Sequence, residues 1–254
     1  MIHSTYPIPS AVYEDGKSKA IPLYYYEELC STNLTAKEIF FAESEQNRRF
    51  IVLADRQTAG RGRLGRSFFS EGGLYFSIAV PAGSFSLPAE LLTTAAAAAV
   101  CRAAEREGFD AKIKWVNDIL LDGKKVCGIL AEALSEGDTV LGYVVGIGVN
   151  IGKPDFPEEI ADIAGALSGD TQLKFKLFEK IRQNFYAALG ESPQKLISYC
   201  TEKSCVIGRK IRYFGAANGS GTAAGLAENG GLIVDGDGGG RIILTGGEIS
   251  VRME

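Results

Sequence analysis

Apolar and polar positions change period several times along this chain, and each change marks an element. LYYYEEL (residues 23–29) is a compact aromatic and apolar run that predicts a strand. In the next stretch, STNLTAKEIFFAESEQN, Leu34, Ile39 and Phe40 share a helical face behind an N-cap at Ser31 or Thr32. FIVLAD (50–55) and the run at 74–80 predict strands on either side of a glycine- and arginine-rich loop. PAELLTTAAAAAVCRAAEREG predicts a long alanine-rich helix from Pro88 that stops at Gly108. KIKW (112–115) and DILLDGKKVCGILAEAL predict strands joined by a tight Asp122-Gly123 turn, and Val140–Val149 predicts another strand ending in GIGVNIG.

Periods of three and four then take over. FPEEIADIAGALSG, Leu173–Leu189 and Pro193–Lys203 read as helical. Beyond Cys205, VIGRKIRYF, GLIVD and RIILTGGEISVR alternate with glycine-rich turns and read as a small β-barrel. DGDGGG (235–240) has the look of a calcium loop, but its twelfth position would be Gly246 where a bidentate Glu is needed, so a hairpin turn is predicted.

The chain has 254 residues, 46% hydrophobic and 23% charged, an ordinary globular composition. No apolar run approaches the ~18 residues of a membrane span, and MIHSTYPIPSAVYEDGKSKAIP lacks a basic-then-apolar export pattern. Cys30, Cys101, Cys127, Cys200 and Cys205 show no C-x-x-C spacing and read as reduced, cytoplasmic thiols. The one histidine, His3, stands near the N-terminus, so Ser-His-Asp and Cys-His chemistry are disfavoured. A formal net charge of −4 argues against a broad polyanion footprint and for a small anionic ligand.

The loop ADRQTAGRGRLGR concentrates the candidate chemistry. Gly60, Gly62 and Gly65 satisfy G-x-G-x-x-G, but the residues after Gly65 carry a strand pattern rather than a helical one, so the dinucleotide-binding interpretation fails on context. Glycine lets backbone N–H groups approach an anion, and arginine adds bidentate donors for phosphate or carboxylate. For an isolated cluster of this kind a solvated surface loop is the plainer account. In KWVNDILLDGKKVCG, a ring, an amide, a carboxylate and a lysine fall within a dozen residues (Trp115, Asn117, Asp118, Lys125). These suit a nucleotide pocket, although Asn117 and Asp118 could be turn formers and Trp115 could be core. Asn150 closes GIGVN just past a strand.

Taken in order, CSTN, QTAGRGRLGR, KWVNDI, KKVCGILAE, GIGVNI and TGGEISVR resemble the biotin–protein ligases from about residue 23 to residue 252. The resemblance implies an α+β fold, a mixed β-sheet with helices packed on one side (class II synthetase-like) over residues 1–203, then an SH3-like β-barrel over 204–254. It implies biotin, ATP and Mg²⁺: biotin carboxylate attacks the α-phosphate to give biotinyl-5′-AMP, and a lysine of a biotin carboxyl carrier domain then displaces AMP. Carried over position by position, Ser31, Thr32, Asn33 and Gln57 would serve biotin. Arg61, Gly62 and Arg63 would fold over biotin and phosphates, with Arg66 beside them. Lys125 would meet the reacting oxygens, making Lys125, Arg61 and Arg63 the catalytic set. Trp115, Asn117 and Asn150 would serve the nucleotide, and Asp118 the nucleotide, a metal or the loop. The loop is expected to be mobile when empty and to order over the adenylate.

Three positions depart from the family pattern: Val116 where Pro is usual, Phe68 where Trp is frequent, and Cys30 in place of an acidic residue. Only about two dozen residues precede the expected core, too few for a helix-turn-helix module, so no DNA binding and no membrane association is expected. Monomer and homodimer both stay open. The competing interpretations are a lipoate–protein or other acyl-adenylating ligase, an arginine-loop nucleic-acid-binding protein and an inactive scaffold.

Overall fold

The computed structural model describes residues 11–14, 20–152, 154–246 and 249–253. His3, most of the N-terminal segment considered for export, and Gly247 and Glu248 of TGGEISVR lie outside the described residues. In chain order the elements begin β1 (Ala11–Glu14), β2 (Ala20–Leu29), α1 (Thr32–Ala42), β3 (Phe50–Gln57), β4 (Leu74–Pro81), α2 (Leu92–Glu105), β5 (Lys112–Lys114), β6 (Asp118–Leu121), β7 (Lys124–Glu136) and β8 (Thr139–Val149). They continue with α3 (Glu158–Ala161), α4 (Leu173–Ala188), α5 (Pro193–Lys203), β9 (Lys210–Gly215), β10 (Gly219–Leu226), β11 (Leu232–Gly236), β12 (Arg241–Leu244) and β13 (Ile249–Met253). Contacts divide the chain into two bodies: residues up to Phe85 with Val126–Glu179, and Ser86–Lys125 with Lys180 onwards.

In the first body the strand order is β1-β2-β3-β4-β8-β7. The β2–β3 pair is parallel and the other pairs are antiparallel, so the sheet is mixed, as expected. β4 lies between two partners and is buried along LYFSIAV, which is why that run is apolar on both faces. α1 lays Ala36, Ile39 and Phe40, spaced by three and one, against Phe50, Val52, Ala79 and Val144. Phe40 fits there because Gly142 of β8 has no side chain: a Cβ would come 2.5 Å from the ring. Adjacent strand residues point to opposite faces. Ser77 of β4 meets α1, whereas Phe76 packs edge-to-face on Phe178 of α4 at 5.2 Å. Helices therefore touch both faces of β4 rather than one side only.

In the second body, Ala95–Ala99, Cys101 and Ala103 of α2 are fully buried. Arg102 holds Glu191 through two bonds of 3.0 and 3.3 Å and lies 4.5 Å above the Tyr199 ring. Burial pushes the Cys200 thiol up to about 12, and that of Cys101 up as well, consistent with inert core thiols. The C-terminal strands form an antiparallel sheet in the order β12-β11-β10-β9-β13, which is the expected small β unit. DGDGGG is its β11–β12 hairpin, closed by Gly236 N–H to the Gly240 carbonyl at 2.9 Å.

Two strands were not foreseen. β1 lies in the segment placed before the core. β10 is GSGTAAGL, whose composition resembles a loop; it is a strand because Gly219 and Gly221 must be bare where Tyr213, Val234 and Asp235 of the neighbouring strands crowd them. Conversely, FPEEIADIAGALSG is helical only at α3, because Leu167 and Gly152 N–H groups and the Asn150 side chain tie the 165–168 backbone elsewhere.

Candidate active site

The start of α1 and the end of β3 bring together one set of candidate residues, within the first body. Ser31 is the N-cap with extended backbone (φ −160°, ψ 132°), but its hydroxyl makes no capping bond. The first helical N–H is instead satisfied from β3: Thr32 N–H donates to Gln57 Oε1 at 2.8 Å. Gln57 Nε2 then donates to Ser70 Oγ at 2.9 Å, and Ser70 donates to the Phe68 carbonyl at 3.0 Å. Ser31, Thr32 and Asn33 are all buried.

The GRGRLGR loop folds on itself. Phe68 N–H bonds the Gly60 carbonyl at 2.8 Å, Arg61 pairs with Ser67, and Gly62 N–H bonds the Arg66 carbonyl at 2.7 Å. Its tip is a 3₁₀ turn, Arg63–Gly65, with Leu64 and Gly65 in the left-handed region (φ 58° and 70°). Gly65 meets that demand without cost; Leu64 does not. Arg61 and Arg66 are exposed and Arg63 is half-buried. The chain leaves the loop into β4, not a helix, which agrees with setting the dinucleotide pattern aside. Thr58 and Ala59 N–H groups bond the Leu29 and Cys30 carbonyls, at 2.8 and 2.9 Å, and so tie the loop's base beside α1.

Glycine in GIGVN has a packing cause. A Cβ at Gly146 would collide with Asn33 Oδ1, and one at Gly148 would stand 2.6 Å from the Phe68 ring. Phe68 also meets Tyr75 edge-on, with centroids 6.4 Å apart. Asn150 is buried; its side chain donates to the Gly165 carbonyl at 2.9 Å, and its backbone bonds Val126 and Leu167 at 2.8 Å.

The second body carries the other sequence-predicted residues. The Asp122-Gly123 turn has φ values of 51° and 79°, the left-handed pair that a two-residue hairpin needs. Across it, Lys125 Nζ lies 2.7 Å from Asp118 Oδ1, both side chains half-buried. Asn117 sits just before β6, half-buried. Trp115 is 7% exposed inside the core formed by Val206, Ile211, Tyr213, Leu232, Val234 and Val251, with its indole N–H donated to the Gly230 carbonyl at 2.9 Å. Of the two roles the sequence allowed, packing in a core is the one these contacts display.

Sequence inspection passed over Ser70, Ser77, Lys37 and Glu132. The available signal was a polar residue inside an apolar strand, Ser77 in LYFSIAV and Glu132 in CGILAEAL. No group of three or more His, Cys, Asp or Glu suited to a metal occurs among the described residues.

A family model of the Biotin/lipoate A/B protein ligase family matches residues 27–150. The fold also matches a solved biotin protein ligase from Aquifex aeolicus in complex with biotin and ATP, with a TM-score of 0.77 and 31% identity over 91% of this chain and 99% of that one. The chain belongs to the biotin protein ligase family. Among other members, the bifunctional ligase/repressor BirA of Bacillus subtilis is 38% identical over 190 residues, 69% of this chain and 58% of its own length. A biotin–[acetyl-CoA-carboxylase] ligase of Paracoccus denitrificans is 42% identical over 113 residues, 41% and 45% of the two chains. This chain thus spans less than two thirds of these two curated relatives. The family match takes in CSTN, the arginine loop, KWVNDI and GIGVN.

Proposed function

We propose that this protein activates biotin with Mg·ATP to biotinyl-5′-AMP and transfers the biotinyl group to a lysine of a biotin carboxyl carrier domain. The observation that carries this function is the match, over nearly the whole of both chains, to a biotin protein ligase solved with biotin and ATP. In the first step a biotin carboxylate oxygen attacks the α-phosphorus, the bond to the bridging oxygen breaks, and pyrophosphate leaves. In the second, the acceptor lysine's neutral amine attacks the acyl carbon, AMP leaves with the anhydride oxygen, and the amine's proton is lost to solvent. Neither step needs a protein nucleophile. Both need anions held together against their repulsion, which is positioning and electrostatic work.

Ser31, Thr32, Asn33 and Gln57 serve biotin in this scheme. Arg61 and Arg63, with Arg66 at the rim, neutralise phosphate and carboxylate, and Gly62 lets the backbone close in. Lys125 acts at the reacting oxygens and is held meanwhile by Asp118. Trp115, Asn117 and Asn150 serve the nucleotide, Trp115 from within its core. Magnesium would enter on ATP and neutralise phosphate charge there, with Asp118, now ion-paired to Lys125, as the residue that would hold it.

Residues 204–254 form a separate small β domain in this proposal. All five cysteines are free and no helix among the described residues is long and apolar enough to cross a membrane, which supports a cytoplasmic setting. Labelled biotin should enter a carrier domain only with Mg·ATP present. No labelling under those conditions would refute the transfer step.

A further inference from the structure

We propose that Glu132, held by Lys37, is a positioning residue that sets the hydrogen-bond direction of a buried chain ending at the Thr32 hydroxyl. This rests on Thr32 lying in the biotin site. All the residues concerned belong to the first body.

Counting protons gives the direction. Asn33 Nδ2 donates to Glu132 Oε2 at 2.7 Å and to the Leu130 carbonyl at 3.2 Å. Carboxylate and carbonyl oxygens only accept, so the Asn33 amide cannot be turned over. Its Oδ1 must therefore be an acceptor, and the one proton of Ser77, 2.6 Å away, goes to it. At the other end Thr32 N–H can only donate, which fixes Gln57 Oε1 as an acceptor too. The Thr32 hydroxyl then stands between two oxygens with no proton to give it, Ser77 Oγ at 2.8 Å and Gln57 Oε1 at 3.1 Å. It donates to one of them and receives from neither. Its lone pairs are left to accept from a ligand N–H, which the urea ring of biotin supplies.

Glu132 supplies the shorter of the two acceptors that hold Asn33 in this direction. Its other oxygen is 2.6 Å from Lys37 Nζ, an ion pair with both side chains about 30% exposed (28% and 30%). Without the carboxylate, only the longer bond to the Leu130 carbonyl, at 3.2 Å, still opposes turning Asn33 over and presenting Nδ2 to Ser77. Ser77 would then give its proton to Thr32, and the hydroxyl's acceptor capacity would be spent inside the protein. The bare Gly146 gives Asn33 the room it occupies.

The test measures, by calorimetry on the full chain, the affinity for biotin, for a biotin analogue methylated at one ureido nitrogen, and for ATP. The wild type should prefer biotin strongly over the methylated analogue. Glu132→Ala should weaken biotin about tenfold or more and reduce that preference, while ATP affinity stays within about twofold. Glu132→Gln keeps an acceptor oxygen and should restore most of both. Lys37→Met, further from the core, should shift both quantities in the same direction by a smaller factor and serves if Glu132→Ala melts too low to study. Unchanged biotin affinity and unchanged preference in these variants would overturn the assignment. A wild-type chain that binds ATP but no biotin would instead overturn the function itself.

Discussion

Lys125 Nζ lies 2.7 Å from Asp118 Oδ1, across the hairpin turn at Asp122-Gly123. A lysine so paired is aimed before any substrate arrives, and an incoming carboxylate or phosphate competes with Asp118 for it. Losing one preorganised donor at a developing charge costs about 10²–10³ in rate. Lys125→Ala should therefore lower the adenylation kcat by about that factor with a smaller change in KM for biotin. Asp118→Asn keeps the lysine and should cost less. Steady-state exchange kinetics on both variants check the order, and an Asp118→Asn defect exceeding that of Lys125→Ala would contradict it.

Gly146→Ala and Gly148→Ala look alike in sequence and should differ in effect. The first drives a methyl into Asn33 Oδ1, on a side chain that hydrogen bonds to Glu132, Leu130 and Ser77 hold in place; the second meets the Phe68 ring at 2.6 Å, and that ring can shift. Overpacking of a fixed group costs about 1–3 kcal/mol. Gly146→Ala should melt lower and bind biotin more weakly than Gly148→Ala. Equal melting points would show that Asn33 is not held as described.

Trp115 gives a contrast of size and chemistry. Trp115→Phe keeps most of the apolar volume and loses the bond to the Gly230 carbonyl, a loss of about 1 kcal/mol plus the cost of leaving a buried acceptor unpaired. Trp115→Ala opens a cavity in the C-terminal core and should cost about 3–5 kcal/mol. Denaturant unfolding of the two variants measures the difference. Two near-identical curves would mean that the ring carries little of that core.

Acid should weaken the second body through Glu191 and Glu105. Burial raises the carboxyl of Glu191, but hydrogen bonds from Arg102 and Lys195 outweigh it and hold it below the usual range; Lys203 and Tyr199 do the same for Glu105. A depressed folded-state value contributes stability above the unfolded one, near about 4.3, and that contribution is lost as the pH falls through the folded value. Melting temperature should drop between about pH 5 and pH 3. Glu191→Gln should be less stable at neutral pH and show a shallower acid limb. An acid limb as steep as the wild type's would assign it to other carboxylates.

Much of this was legible in the residues. Ser31 marks a helix start because the next residues carry a helical face, and Asp122-Gly123 marks a hairpin because few other pairs accept two left-handed conformations. Spacing within KWVNDILLDGKKVCG was enough to gather Lys125 with Asp118, whereas only the resemblance to the biotin–protein ligases gathered Thr32 with Gln57. β10 escaped because its glycines answer to neighbouring strands, not to local preference. Glu132 escaped because its partners Lys37 and Asn33 are almost a hundred residues away. Trp115 was ambiguous because burial by the C-terminal sheet leaves no local trace.

The most direct test of the whole account is ATP–pyrophosphate exchange with Mg²⁺, run with biotin, with lipoate and with neither. Exchange that depends on biotin is the predicted result. Exchange with lipoate alone, or none with either, would contradict it.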